Sequence, residues 1–156
     1  RQRHFVTERL EALGIDGEDI GRLREQGWIE HHGRRVHIDE VTEWQRGRCV
    51  AVVMDTRPCA AAVDLARDAD LLVCEATFLE RDRAFAERGG HLTAADAGRI
   101  ARDAGVGLLV LSHFSDRYDD VAELVDEARR YVPNVIAAED FTTIVVPAPR
   151  RPSADR

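Results

Sequence analysis

The sequence predicts an α/β fold in which a parallel sheet is covered by helices. Two observations carry this. From residue 49 onward, short apolar runs alternate with runs of helical character. The apolar runs (CVAVVM, LLVCEA, GLLVLSH) are continuous rather than alternating with polar residues, as expected for strands of a parallel sheet buried on both faces.

The elements follow in chain order. Residues 5–13, FVTERLEAL, read as a helix because Phe5, Leu10 and Leu13 can share one stripe. A short helix is expected over residues 20–24, closed by Gly27. WIEHHGRRVHI reads as a hairpin turning near His32-Gly33. It holds His31, His32 and His37, but the adjacent His31 and His32 diverge, so exposed turn residues are expected rather than a metal cluster. Residues 49–54 form a strand, 59–68 an alanine-rich helix and 71–76 a second strand. A polar, glycine-containing loop is expected over 77–92. Thr93 caps a helix running to Ala104, with Asp96 at the capping-box position and Gly105 as its stop. A third strand covers 107–113, a further helix 120–131, and two more strands 134–138 and 142–147. The chain is expected to fray from Pro147, with residues 1–149 in the folded domain and 150–156 a disordered tail.

A chain of 156 residues can build one domain with a real core. Hydrophobic residues at 44% and charged residues at 33% read as soluble and globular. No apolar run approaches the ~20 residues of a membrane span, and there is no secretory signal pattern. The first residue is Arg1, so the chain reads as a piece of something longer. The net charge is −7, which gives no general basic footprint for nucleic acid. A polyanion would have to be held by a local patch, by metal ions or by parts outside this chain. All 22 basic residues are arginine. Cys49, Cys59 and Cys74 fit no zinc spacing and read as reduced core or near-core thiols of a cytoplasmic protein.

The polar residues fall at strand ends. CVAVVM ends at Asp55, LLVC at Glu75 and LLVLS at His113. Sites in open α/β sheets form outside the carboxyl ends of parallel strands, so one rim receives an acid, an acid and a histidine. His91 lies in a connection on that same rim. Each residue alone has a plain alternative: Asp55 is equally suited to capping the next helix, and Glu75 to a solvated loop start. Together they suit zinc or manganese, although catalytic zinc takes three protein ligands plus water.

Four motifs in order, MDTRPC (54–59), CEATF (74–78), GHLT (90–93) and LSHFSDRY (111–118), make the chain resemble the C-terminal half of the ribonuclease Z family. These are 3′-tRNA-processing endonucleases of the metallo-β-lactamase superfamily. GIDGEDIGRLREQG also resembles a family stretch, so the resemblance covers nearly the whole chain. It implies half of an αββα sandwich with a mixed or parallel sheet and two zinc ions per complete site, manganese being possible. Asp55 resembles the aspartate that bridges the two ions, and His113 the last histidine ligand. Glu75 and His91 resemble the pair that protonates the leaving 3′-oxygen. Precursor tRNA is the implied substrate and a cytoplasmic homodimer the implied state. Arg57 and Arg117 follow motif residues on the rim and could meet phosphate, or could equally be paired surface arginines. Cys74, Leu92 and Met54 depart from the family pattern without touching a ligand position. The family's His-x-His-x-Asp-His motif, a further histidine ligand and the tRNA-binding arm have no counterpart here, and all would lie N-terminal to Arg1.

Rival readings are a phosphoacceptor receiver domain, another hydrolase or phosphodiesterase of the same superfamily, and an inactive fragment. A receiver domain needs a lysine at a later strand end. This chain has none, and His113 occupies the comparable position.

Overall fold

In the computed structural model, which describes residues 2–149, the chain divides after Gly47 into two compact units.

The first unit opens with β1 (Gln2–Phe5), then α1 (Thr7–Leu13) and α2 (Gly17–Gln26). β2 (Trp28–His31) and β3 (Arg34–His37) form the expected hairpin, with His32 and Gly33 in the left-handed turn. α3 (Ile38–Val41) and β4 (Thr42–Gln45) complete it. Leu10, Ile15, Leu23, Ile29, Val36 and Val41 form its core. Phe5 belongs to β1 rather than to the first helix, and β1 pairs antiparallel with β4. Sequence patterning does not reveal this ribbon because QRHF and TEWQ carry no apolar pattern; each strand exists through the other's ladder. His31 is not an exposed turn residue. Its Nδ1 lies 3.1 Å from Asp19 Oδ2 and its side chain is largely buried.

The second unit is a four-stranded, all-parallel sheet in the order β5-β6-β7-β8. These strands are β5 (Val50–Val53), β6 (Leu71–Glu75), β7 (Leu108–Ser112) and β8 (Val135–Ala137). The crossovers carry α4 (Ala60–Ala66), α5 (Arg83–Gly89), α6 (Ala94–Ala104) and α7 (Ala122–Arg129). The register places Ala51, Leu72, Leu109 and Val135 in one row, and Val53, Cys74, Leu111 and Ala137 in the next row on the same face. Both rows join the core with Ala66 of α4, Ile100 and Ala101 of α6 and Leu124 of α7. The intervening row, Val52, Val73, Val110 and Ile136, points to the opposite face. There Val52 remains 55% and Val50 49% exposed, an apolar surface uncovered at its edges.

Two sequence expectations are corrected. Residues 77–92 are not a plain loop, since they hold a 3-10 turn (Glu80–Asp82) and α5. Only Ala86 of α5 is buried, so apolar periodicity could not reveal it; Gly90, left-handed at φ 82°, closes it. Residues 142–147 form no strand, and Val145 is 77% exposed. β-Propensity without a neighbouring ladder does not make a strand. The expected tail, 150–156, lies outside the described residues.

Small residues set the helix packing. A Cβ on Gly98 would sit 2.8 Å from the Ala128 carbonyl oxygen, so glycine there lets α6 meet α7 closely. Gly107 is tighter: a Cβ would lie 2.4 Å from the Asp70 carbonyl oxygen, which accepts from Leu108 N–H at the start of β7. Backbone cannot swing aside as a side chain can. Gly107→Ala is expected to destabilise the protein by about 1–3 kcal/mol, read as a lower urea midpoint at unchanged slope.

Candidate metal and acid–base site

The carboxyl ends of β5, β6 and β7 deliver Asp55, Glu75 and His113 to one rim, as the sequence predicts. The first and last arrive through unusual backbone. Asp55 has φ 49° and His113 φ 56°, left-handed values that cost a residue with a Cβ. Such strain, of order 1–3 kcal/mol each, clusters where side chains must be aimed. The connection after α5 brings His91 to the same place. Its N–H donates to the Ala86 carbonyl at 2.9 Å after the Gly90 turn. Thr93 and Asp96 form the expected capping box, which fixes the start of α6 two residues further on.

Glu75 organises the site from beneath. Its side chain is fully buried. Oε1 accepts from the Thr56 backbone N–H at 2.7 Å. Oε2 accepts from the Thr77 hydroxyl at 2.8 Å and lies 2.9 Å from His91 Nδ1. The Thr77 oxygen is in turn 3.1 Å from His113 Nδ1. Asp55 Oδ1 faces His113 Nε2 at 3.7 Å, and the His91 and His113 rings are 5.2 Å apart. Glu75 is therefore no solvated loop charge, and among the described residues the Asp55 carboxylate makes no helix cap.

Ligand atoms of Asp55, His91 and His113 all lie within 4.8 Å of one another. Zinc–ligand bonds of about 2.0–2.2 Å place tetrahedral ligands roughly 3.5 Å apart, so the Asp55–His113 spacing fits a shared ion. Cys74, adjacent to Glu75, is turned into the core rather than onto the rim. Burial pushes its thiol up to about 12, and the neighbouring Glu75 and Asp96 charges act in the same direction. It stays protonated and inert. Cys49 is half-buried and Cys59 exposed, so the near-core expectation fails for Cys59.

The two arginines are less committed to the rim than their sequence positions imply. Arg57 lies across the end of α5, with its guanidinium 3.4 Å from the Glu87 carbonyl oxygen and beside Gly90. Arg117 stacks over Phe85 at 4.1 Å and pairs with Asp82 at 3.6 Å. A second, partly buried network braces the wall. Arg83 grips Glu80 at 2.6 Å and Asp96 at 2.8 Å, and the Arg83 hydrogen bond holds the Glu80 carboxyl down at about 2. Glu127 of α7 accepts from Glu80 N–H and Ala95 N–H, tying α7 to the start of α6. Sequence reasoning assigns Thr77 no role. The available signal is a hydroxyl two residues past a strand-end acid.

No family model matches the chain. Proteins named ribonuclease Z do. The one from Streptomyces coelicolor is 47% identical over 95% of this chain and 48% of its own length. The one from Chlamydia trachomatis is 41% identical over 92% and 47%. The chain thus spans about half the length of the curated relatives it matches. Human tRNase Z, short form, superposes with a TM-score of 0.52 and 29% identity over 73% of this chain and 37% of that one. The metallo-beta-lactamase fold protein YhfI from Bacillus subtilis gives 0.54 and 28% identity over 58% and 36%.

Proposed function

The chain matches the C-terminal half of ribonuclease Z, and from that premise we propose that it is the acid–base half of a metal-dependent endoribonuclease that removes 3′ trailers from precursor tRNA. The observation that carries this reading is the contact of buried Glu75 with His91 beside Asp55 and His113. Asp55 and His113 would hold the metal, zinc in the first instance with manganese as the alternative. When bound, two divalent ions supply a water nucleophile at neutral pH and offset charge on the phosphate.

This chain's own residues supply the rest. Glu75 accepts from His91 Nδ1–H, and in the imidazolium form Nε2 carries the second proton, the one that would pass to the leaving 3′-oxygen. Arg57 and Arg117, both exposed, would meet phosphate oxygens only by leaving the Glu87 carbonyl and Asp82.

Asp55 and His113 alone are fewer than the three protein ligands that catalytic zinc takes. We assign the remaining ligands to the other half of the ribonuclease Z chain. The uncovered sheet face supports this, because covering the half of Val50 and of Val52 that is still exposed would stabilise by about 1 kcal/mol for each. The working protein would then be the longer chain, as a cytoplasmic homodimer. No helix among the described residues is long and apolar enough to cross a membrane.

The test uses full-length protein on precursor tRNA, with bound metal measured by elemental analysis. Asp55→Ala is expected to lower zinc content and abolish trailer removal. Cleavage that survives Asp55→Ala with no metal bound would overturn the reading. The 156-residue chain alone is expected to bind zinc sub-stoichiometrically, and two tightly held ions per chain would contradict the division of ligands.

A further inference from the structure

Thr77 is buried at 7% exposure, and its hydroxyl touches two groups that both want something from it. A hydroxyl has one proton to donate and lone pairs to accept with. Its proton goes to Glu75 Oε2 at 2.8 Å. The contact with His113 Nδ1 at 3.1 Å is then a hydrogen bond only if Nδ1 carries the hydrogen. Neutral imidazole has one N–H, so Nε2 is left bare. That nitrogen is the one facing Asp55 Oδ1 at 3.7 Å. The alternative tautomer would set a bare Nδ1 against an oxygen whose proton is already given away, with its single N–H on Nε2, on the Asp55 side.

We propose that Thr77 is a positioning residue: it relays the buried Glu75 carboxylate to His113 and fixes the imidazole in the Nδ1–H tautomer, so that Nε2 is presented as a lone pair toward Asp55. One carboxylate oxygen therefore orients both rim histidines, His91 directly and His113 through the Thr77 hydroxyl. The backbone supports the relay from both sides. Ala76 N–H donates to the Ser112 carbonyl at 2.9 Å, and Ser115 N–H to the Thr77 carbonyl at 3.1 Å, which pins the Thr77 segment to the segment bearing His113. The use of the bare Nε2 as a ligand rests on the metal reading given above, but the tautomer itself does not.

Long-range 15N–1H correlation spectra of 15N-histidine-labelled protein at about pH 8, without metal or RNA, read the tautomer directly. His113 is assigned by the resonance lost in His113→Gln. The expected wild-type spectrum shows His113 Nδ1 protonated and Nε2 bare. Thr77→Val, which keeps the shape and removes the hydroxyl, is expected to move His113 to the Nε2–H form or to an exchanging mixture. Thr77→Ser, which restores the hydroxyl, is expected to keep the wild-type pattern. A wild-type His113 in the Nε2–H form overturns the proposal even if Thr77→Val does not fold. An unchanged tautomer in a folded Thr77→Val protein also overturns it. In the full-length enzyme, zinc affinity is expected to fall about 10–100-fold with Thr77→Val. If the tautomer shifts as stated but full-length protein cuts no precursor tRNA, the nuclease reading fails and the Thr77 assignment stands.

Discussion

His91→Ala in full-length protein is expected to lower trailer removal by about 10²–10⁴-fold, the range for loss of one positioned acid, while leaving zinc content unchanged. The 3′-oxygen leaves as an alkoxide unless it is protonated as the bond breaks. His91 is the rim group whose ring is gripped on one nitrogen, by Glu75 at 2.9 Å, with the other nitrogen left over. Its side chain is three-quarters buried, so the ring is held rather than free to rotate. Turnover within a few-fold of wild type would show that another group protonates the leaving oxygen. Loss of metal would show something different, that His91 completes a ligand set with Asp55 and His113, whose ligand atoms lie within 4.8 Å of it. Elemental analysis beside the cleavage assay separates the two.

Glu75→Gln is expected to cost about 2–3 kcal/mol of folding stability, as one buried donor loses its acceptor, and to lower cleavage at least 10²-fold, the lower end of the range for a lost acid–base group. The substitution preserves size. It fails because three donors converge on the two carboxylate oxygens: Thr56 N–H on one, Thr77 O–H and His91 Nδ1–H on the other. A glutamine offers one oxygen and one NH₂, so either orientation points a donor at a donor. Urea denaturation gives the first number and precursor tRNA cleavage the second. Wild-type stability would mean that His91 and Thr77 turn away and find other partners. The cleavage loss would then measure orientation alone.

Much of the fold is legible in the order of the amino acids. Continuous apolar runs mark β5, β6, β7 and β8, and Thr93, Asp96 and Gly105 mark the ends of α6. The ribbon of β1 and β4 is not legible, because two polar segments become strands only in each other's presence. Nor is α5, held at its ends by Arg83 and Gly90 rather than by an apolar stripe. Residues 142–147 err the other way, with strong β-propensity and no ladder among the described residues to join.

The site divides along the same line. Where a parallel strand ends is a one-dimensional fact, so the order of residues is enough to put Asp55, Glu75 and His113 on one rim, with His91 in a connection on that same rim. Tertiary structure decided which way each group faces. Left-handed backbone at Asp55 and His113 turns both side chains onto the rim. Burial turns Glu75 from a plausible surface charge into the acceptor on which Thr56, Thr77 and His91 converge. Those are contacts between residues 19, 2 and 16 positions apart, set by strand register and helix packing. Hydrogen-bond direction depends on that three-dimensional register, and no spacing along the chain encodes it.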